Sequence, residues 1–282
     1  MDALIKAGGA DIAAMSEIER EMLAELQAEG SAAFDFKATR IKFPSGGLNA
    51  FQTSDGGILQ PPINMIFVVV QKTRAFWPDS DTQGTPPLCT SPDGLHGSFN
   101  AADSTGVDAA MRYPTIHPAL RLLNDQDAAA GPFACAGCPL NQYGTADKGN
   151  GKACKELRRA LVFVEGWSAP ALLTIPPSSL GNWDTYASAL RNKGVPYFGA
   201  WTQVELTQEK NGAGIKFSKL KLTMIRKVDG AEAADVLSIR REYGDLVRAM
   251  QITGDDYATE GNGAGQTVTP QGEVVTAGDE PF

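Results

Sequence analysis

The stretch Ile63-Asn-Met-Ile-Phe-Val-Val-Val-Gln-Lys-Thr-Arg-Ala-Phe-Trp77 decides the fold. Its apolar heart, Met65 to Val70, has the length of a strand rather than of a membrane span, and no run of eighteen apolar residues occurs anywhere in the chain. Upstream, 36–43 and 48–53 read as further strands, cut apart by Gly, Pro, Ser and Asp. Downstream, 159–165, 171–175, 200–209 and 215–227 read the same way, with Asn211-Gly-Ala-Gly214 turning the last two into a hairpin. Helices are expected at 178–193, stopped by Gly194 and Pro196, and at 231–250. An N-terminal amphipathic helix is expected within 1–30, with Ile12, Met15, Ile18, Met22 and Leu26 on one stripe. Strands outnumber helices, so the expected class is mainly β with flanking helices (α+β). The order of elements suggests a small antiparallel barrel with an insertion.

That insertion, 78–158, is rich in Gly, Pro, Asp and Thr and holds all four cysteines. The core is expected to span 31–252. Residues 253–282 have few large apolar side chains, too few to offset the entropy of ordering, and read as a disordered acidic tail.

With 43% hydrophobic and 21% charged residues among 282, the chain has globular composition. The N-terminus lacks a basic region followed by an apolar one, and four cysteines in a chain of this length predict a reducing, cytoplasmic setting, that of the host if the chain is phage-encoded. The formal charge of −8 is unevenly spread. Residues 141–227 carry 13 Lys and Arg against 6 Asp and Glu, whereas 253–282 carry 6 acids and no base. A basic body flanked by acidic segments fits a polyanion groove for which an acidic tail competes.

Cys89, the knuckle Cys135-Ala-Gly-Cys138 and Cys154 supply four thiols, the donor set of one closed tetrahedral Zn2+ site with no coordination position left for catalysis. His96 or His117, the two histidines, are possible substitutes for one thiol, and an iron-sulfur cluster or free thiols are the alternatives. Gly149-Asn-Gly-Lys152 is not a phosphate-binding P-loop, because Ala146 stands where its first glycine belongs and Ala153 follows the lysine. It is a Gly-rich loop with Lys148, Lys152, Lys155, Arg158 and Arg159 gathered near Cys154. No catalytic motif stands in a recognisable frame, so an enzyme is not expected.

Single-strand binders interleave cations with aromatic faces. The strand at 215–227 places Phe217, Lys219, Lys221 and Thr223 on one face and Leu220, Leu222 and Met224 on the other. Lys37, Arg40 and Lys42 on the first strand, and Lys72, Arg74, Phe76 and Trp77 at the end of the decisive stretch, extend the basic-aromatic set, and Tyr143 lies between knuckle and loop. Phe43, Trp183 and Trp201 individually read as core.

The C-terminal Asp279-Glu280-Pro281-Phe282 resembles the acidic Pro-Phe tip of bacterial single-stranded-DNA-binding proteins. The resemblance implies that these four residues dock on replication and recombination partners. The Cys135 to Lys155 segment and Pro176-Pro-Ser-Ser179 look more like phage-type single-strand binders, which implies an OB-type antiparallel barrel, a four-cysteine zinc-binding insertion and an acidic tail. The expected function is therefore sequence-tolerant binding and protection of single-stranded DNA in replication, recombination or repair, with no membrane partner. A zinc-containing nuclease or recombination accessory enzyme is the alternative, and an adaptor with a basic face for an acidic protein is a third.

Overall fold

A computed structural model describes residues 38–44, 48–77, 87–99, 132–146, 150–210, 212, 214, 216–256, 266–268 and 274–276. The N-terminal helix, Lys37, His117, Lys148 and the 279–282 tip lie outside the described residues. Eleven strands form one sheet: β1 (Arg40–Lys42), β2 (Phe51–Thr53), β3 (Ile58–Leu59), β4 (Ile63–Phe76), β5 (Cys89–Ser91), β6 (His96–Phe99), β7 (Phe133–Ala134), β8 (Lys155–Val164), β9 (Ala171–Ile175), β10 (Ala200–Lys210) and β11 (Lys216–Lys227). Among the described residues two α-helices, α1 (Leu180–Asn192) and α2 (Gly230–Ala249), accompany the sheet. A separate two-stranded ladder joins β12 (Gln266–Val268) to β13 (Val274–Thr276).

The sheet is built on β4. One edge of β4 pairs with β8 from Met65 to Ala75. The other pairs with β10 through Ile63–Met65 and with β5 through Arg74–Phe76, so the sheet forks. In the fork, Arg240 of α2 donates to the carbonyl of Val68 at 2.5 Å, satisfying a buried acceptor. Along the other limb the order runs β8, β9, β1, β2, β3. The fold is thus mainly β with two helices packed on a curled sheet. Among the described residues every pairing is antiparallel except β1 with β9, which is parallel and makes the sheet mixed rather than purely antiparallel as expected. No ladder joins β3 or β7 to β11 among the described residues, so the sheet is a half-barrel.

Both faces of β4 are covered, which is why its sequence is an unbroken apolar run rather than an alternating one. Met65, Ile66, Phe67 and Val68 are each 0% exposed. Met65 and Phe67 join Trp183, Tyr186 and Leu190 of α1, while Ile66, Val68 and Val69 join Val236, Ile239 and Val247 of α2. A register shift between Phe67 and Val69 reverses the parity, so that Val70 again packs on the α1 side.

Local signals account for the helix ends. After α1, Gly194 takes φ +69°. Its N–H and that of Val195 close back on Arg191 and Leu190 at 2.9 and 3.0 Å, a paired cap that needs the left-handed conformation. The N-terminus of α1 meets the outer edge of β11: Leu220 N–H donates to Ser179 Oγ at 3.0 Å, and Asn182 donates to the Leu220 carbonyl at 2.5 Å. At α2, Asp229 and Glu232 form a reciprocal capping box, and Glu232 also receives Trp201 Nε1 at 3.1 Å and both Arg226 nitrogens at 2.6 and 2.7 Å. Among the described residues no helix is long and apolar enough to cross a membrane.

The ordered body runs past Ile252, where the sequence placed its end. Asp256 lies buried between Arg40 and Arg159, its carboxylate 3.4 Å from the latter, with both side chains of that inner pair 2% exposed. Arg159 also donates to the carbonyls of Val247, Met250 and Gln251, closing the C-terminus of α2. Burial opposes the charge on Arg159, and Asp256 acts to restore it. Removing one partner strands a buried charge. Asp256→Ala is expected to lower unfolding free energy by about 3–5 kcal/mol in urea titrations, far more than Ala at exposed Asp245.

Candidate nucleic-acid interface

The four cysteines come together. Cys89 opens β5, Cys135 and Cys138 bracket the turn after β7, and Cys154 immediately precedes β8. The turn is fixed by backbone bonds from Cys138 N to Cys135 O at 3.3 Å and from Cys154 N to Leu140 O at 2.9 Å, and by Asn141 Nδ2 on Cys135 O at 2.9 Å. All four are buried free thiols lining one cavity of about 10 Å3 with Arg74, Phe76 and Leu140. Burial and the neighbouring thiols push Cys89 up strongly and Cys154 to about 12. Sharing a cavity is not by itself ligand geometry, and among the described residues no group of three or more His, Cys, Asp or Glu is arranged as a metal site. His96 is exposed and bonds Asp93 at 2.9 Å.

Arg74 connects the thiol cavity to a charged strip. Its guanidinium donates to Gly94 O at 3.0 Å, Asn141 Oδ1 at 2.5 Å and Glu156 Oε2 at 2.7 Å. Gly94 has φ +71°, and a Cβ there would stand 2.8 Å from Lys72 Cγ, so the turn that aims this carbonyl requires glycine. Glu156 also faces Lys72 at 3.2 Å and Arg158 at 2.9 Å, and Arg158 reaches Asp184 of α1 at 3.5 Å. Burial acts to raise the Glu156 carboxyl, but hydrogen bonds from Arg158 and Lys72 and the charge of Arg74 outweigh it and hold it below its ordinary value. On the knuckle side, Lys152 donates to Asn141 at 3.2 Å and lies 4.8 Å above the ring of Tyr143, which is 78% exposed. Lys155 donates to Lys152 O at 3.1 Å.

Beside the strip an open cleft of about 370 Å3 separates β4 and β8 from α1, with Lys72, Arg158 and Arg191 among its lining residues. The structure therefore brings together Lys72, Arg74, Tyr143, Lys152, Lys155 and Arg158 of the sequence-predicted set. It adds Arg191, which shares a helical stripe with Asp184, Ala187 and Ser188. That stripe was visible in the sequence but indistinguishable there from an ordinary solvated face.

Other predicted residues lie elsewhere. Phe76 is buried in the cysteine cluster, and Arg159 is buried under α2, so neither presents a surface for a ligand. Arg40 is engaged by Asp256, Lys42 is half-buried on β1, and Trp77 is half-buried beyond β4. On β11 the expected alternation holds, with Ser218, Leu220, Leu222 and Met224 inward and Phe217, Lys219, Lys221 and Thr223 outward. Yet Lys219 pairs with Glu209 at 3.3 Å and Lys221 with Glu205 at 2.8 Å, so this face is charge-balanced. The balancing acids came from the neighbouring strand, whose register the sequence did not state.

Because Glu156 is held ionised by three cations, its contribution is present above the ordinary carboxyl value of 4.5 and is lost as pH falls through the lowered folded value. Glu156→Gln is expected to cost about 1–3 kcal/mol at neutral pH, with the gap between variant and parent closing at acidic pH. Urea titrations at pH 7 and pH 3 provide the check.

No protein-family model, curated protein or solved structure matches the chain.

Proposed function

We propose that this protein is a sequence-tolerant, non-enzymatic single-stranded-DNA-binding protein acting in replication, recombination or repair, that of a phage included. The observation that carries the reading is the strip itself. Lys72, Arg158 and Arg191 stand at an open cleft against Glu156 and Asp184, and the strip continues past buried Arg74 through Lys152 to an exposed Tyr143. Cations at this spacing suit a phosphate backbone, and a ring exposed on one face suits an unpaired base. Both neighbouring carboxylates are held in ion pairs, which favours binding over carboxylate-assisted cleavage. The curled sheet is read as an OB-type barrel, the cytoplasm as its location, and Asp279, Glu280, Pro281 and Phe282 as the segment that recruits protein partners.

Cys89, Cys135, Cys138 and Cys154 are proposed to hold a structural Zn2+. Four buried soft donors share one cavity with no oxygen acid in its lining, and the Arg74 guanidinium offsets the negative charge of a tetrathiolate centre. The ion would staple β5 and the knuckle to the start of β8 and hold Arg74 and Asn141 in place. One zinc per chain by elemental analysis, released together with a fall in the melting temperature on chelation, is the expected result. Less than half an equivalent in protein purified without chelator overturns it.

Binding is tested by anisotropy of labelled oligo-dT, matched duplex and matched RNA at two salt concentrations. Oligo-dT is expected to bind best, with a log-log salt slope near −0.7 per phosphate contacted, about −3.5 for five contacts. Tyr143→Ala is expected to lose about 1–3 kcal/mol, and Lys72→Glu with Arg158→Glu to lose more. Absence of salt-sensitive binding to any of the three would move the strip to an acidic protein partner.

A further inference from the structure

The cleft beside α1 has two unlike kinds of lining, each drawn from both of its sides. One is charged, three cations and one acid: Lys72 from β4, Arg158 from β8, and Arg191 with Asp184 from α1. The other is apolar and aromatic: Val70, Ala187, Trp183 and Tyr197. Trp183 packs against Phe67 at 4.7 Å and Tyr197 at 5.8 Å between ring centroids, and the Tyr197 hydroxyl accepts from Arg240 at 3.0 Å, so these rings are tied into the core. Lys72 and Arg158 are held by Glu156, and Arg158 also meets Asp184, whereas Arg191 pairs with no carboxylate among the described residues. A bare phosphate would fill a small part of about 370 Å3, a volume within the range of small-ligand pockets.

We infer that this cleft is a nucleotide pocket, taking one phosphate of a nucleotide on Lys72, Arg158 and Arg191 and its base against half-buried Tyr197, Val70 and Ala187, with Trp183 packed beneath them. The inference deepens the single-strand reading and rests on it: the strip guides the backbone, and the cleft receives one nucleotide unit. The apolar lining distinguishes this from a site for free phosphate, and the cations distinguish it from a site for a neutral nucleoside.

Isothermal titration and ligand-observed NMR on the full chain, using dTMP, thymidine and inorganic phosphate as probes, test it. dTMP is expected to bind at least about ten-fold more tightly than either fragment, since only it engages both kinds of lining. Arg191→Glu and Ser188→Trp, both at exposed positions on the cleft side of α1, are expected to weaken dTMP by about ten-fold each, a difference of about 1.4 kcal/mol. Unchanged melting temperatures would show that each variant is folded. Binding of dTMP no tighter than phosphate, or binding unaffected by both variants, overturns the pocket. If oligo-dT binds with salt sensitivity while dTMP does not, the pocket falls and the strand reading stands. If dTMP binds but oligo-dT does not, the reverse holds.

Discussion

The body depends on the burial of β4 on both faces. A strand with four consecutive side chains withdrawn from water, each contributing about 1.5–3 kcal/mol, demands a layer on each side. The two helices supply those layers, α1 through Trp183, Tyr186 and Leu190 and α2 through Val236, Ile239 and Val247. The edges impose a second demand, met by β8 on one side and by β10 and β5 on the other. Arg240 supplies a donor where the two limbs diverge. The cleft follows from this plan: the strand is longer than the helix that covers it, and between its two buried ends Val70 and Gln71 are left half-buried and Lys72 exposed.

The basic residues of the body divide by depth. Arg74, Arg159 and Arg240 work inward, on the Gly94 carbonyl, on the end of α2 and on the Val68 carbonyl. Lys72, Arg158 and Arg191 remain at the cleft. A planar guanidinium with five donors can serve several carbonyls at once, which is why, among the described residues, Arg occupies the interior positions and no Lys does. Regional charge counts treat these two populations alike, although only the outer one offers its charge to a ligand.

Elements with local signals were legible in the sequence: β9, both strands of the β10–β11 hairpin, and the two helices lie within two residues of their expected bounds. Capping residues, glycine stops and alternating patterns act over a few residues and can be seen there. The start of β8 was not, because Lys155, Glu156 and Arg158 look like loop. They are strand residues, Arg158 lining the cleft and Glu156 pairing it with Lys72, so β8 reaches into the stretch that reads as insertion. Long-range pairings were also hidden. The parallel contact of β1 with β9 and the clamp of Asp256 on Arg159 join segments that share no pattern. The gathering of the four thiols into one cavity was legible from their residue type and the tight knuckle, whereas Arg191 needed the packing of α1 to bring it across from Lys72.

The bonds from Ser179 and Asn182 to Leu220 have a consequence for the protein at high concentration. β11 ends its limb of the sheet, and an open edge of unpaired amides and carbonyls is a template for another chain. Here the backbone N–H and C=O of Leu220 are already occupied midway along that edge by two side chains at the start of α1. A strand arriving from a second molecule would have to break both bonds or stop at Leu220, so no continuous ladder can run the length of β11. The helix that walls the cleft thus also guards this edge of the sheet.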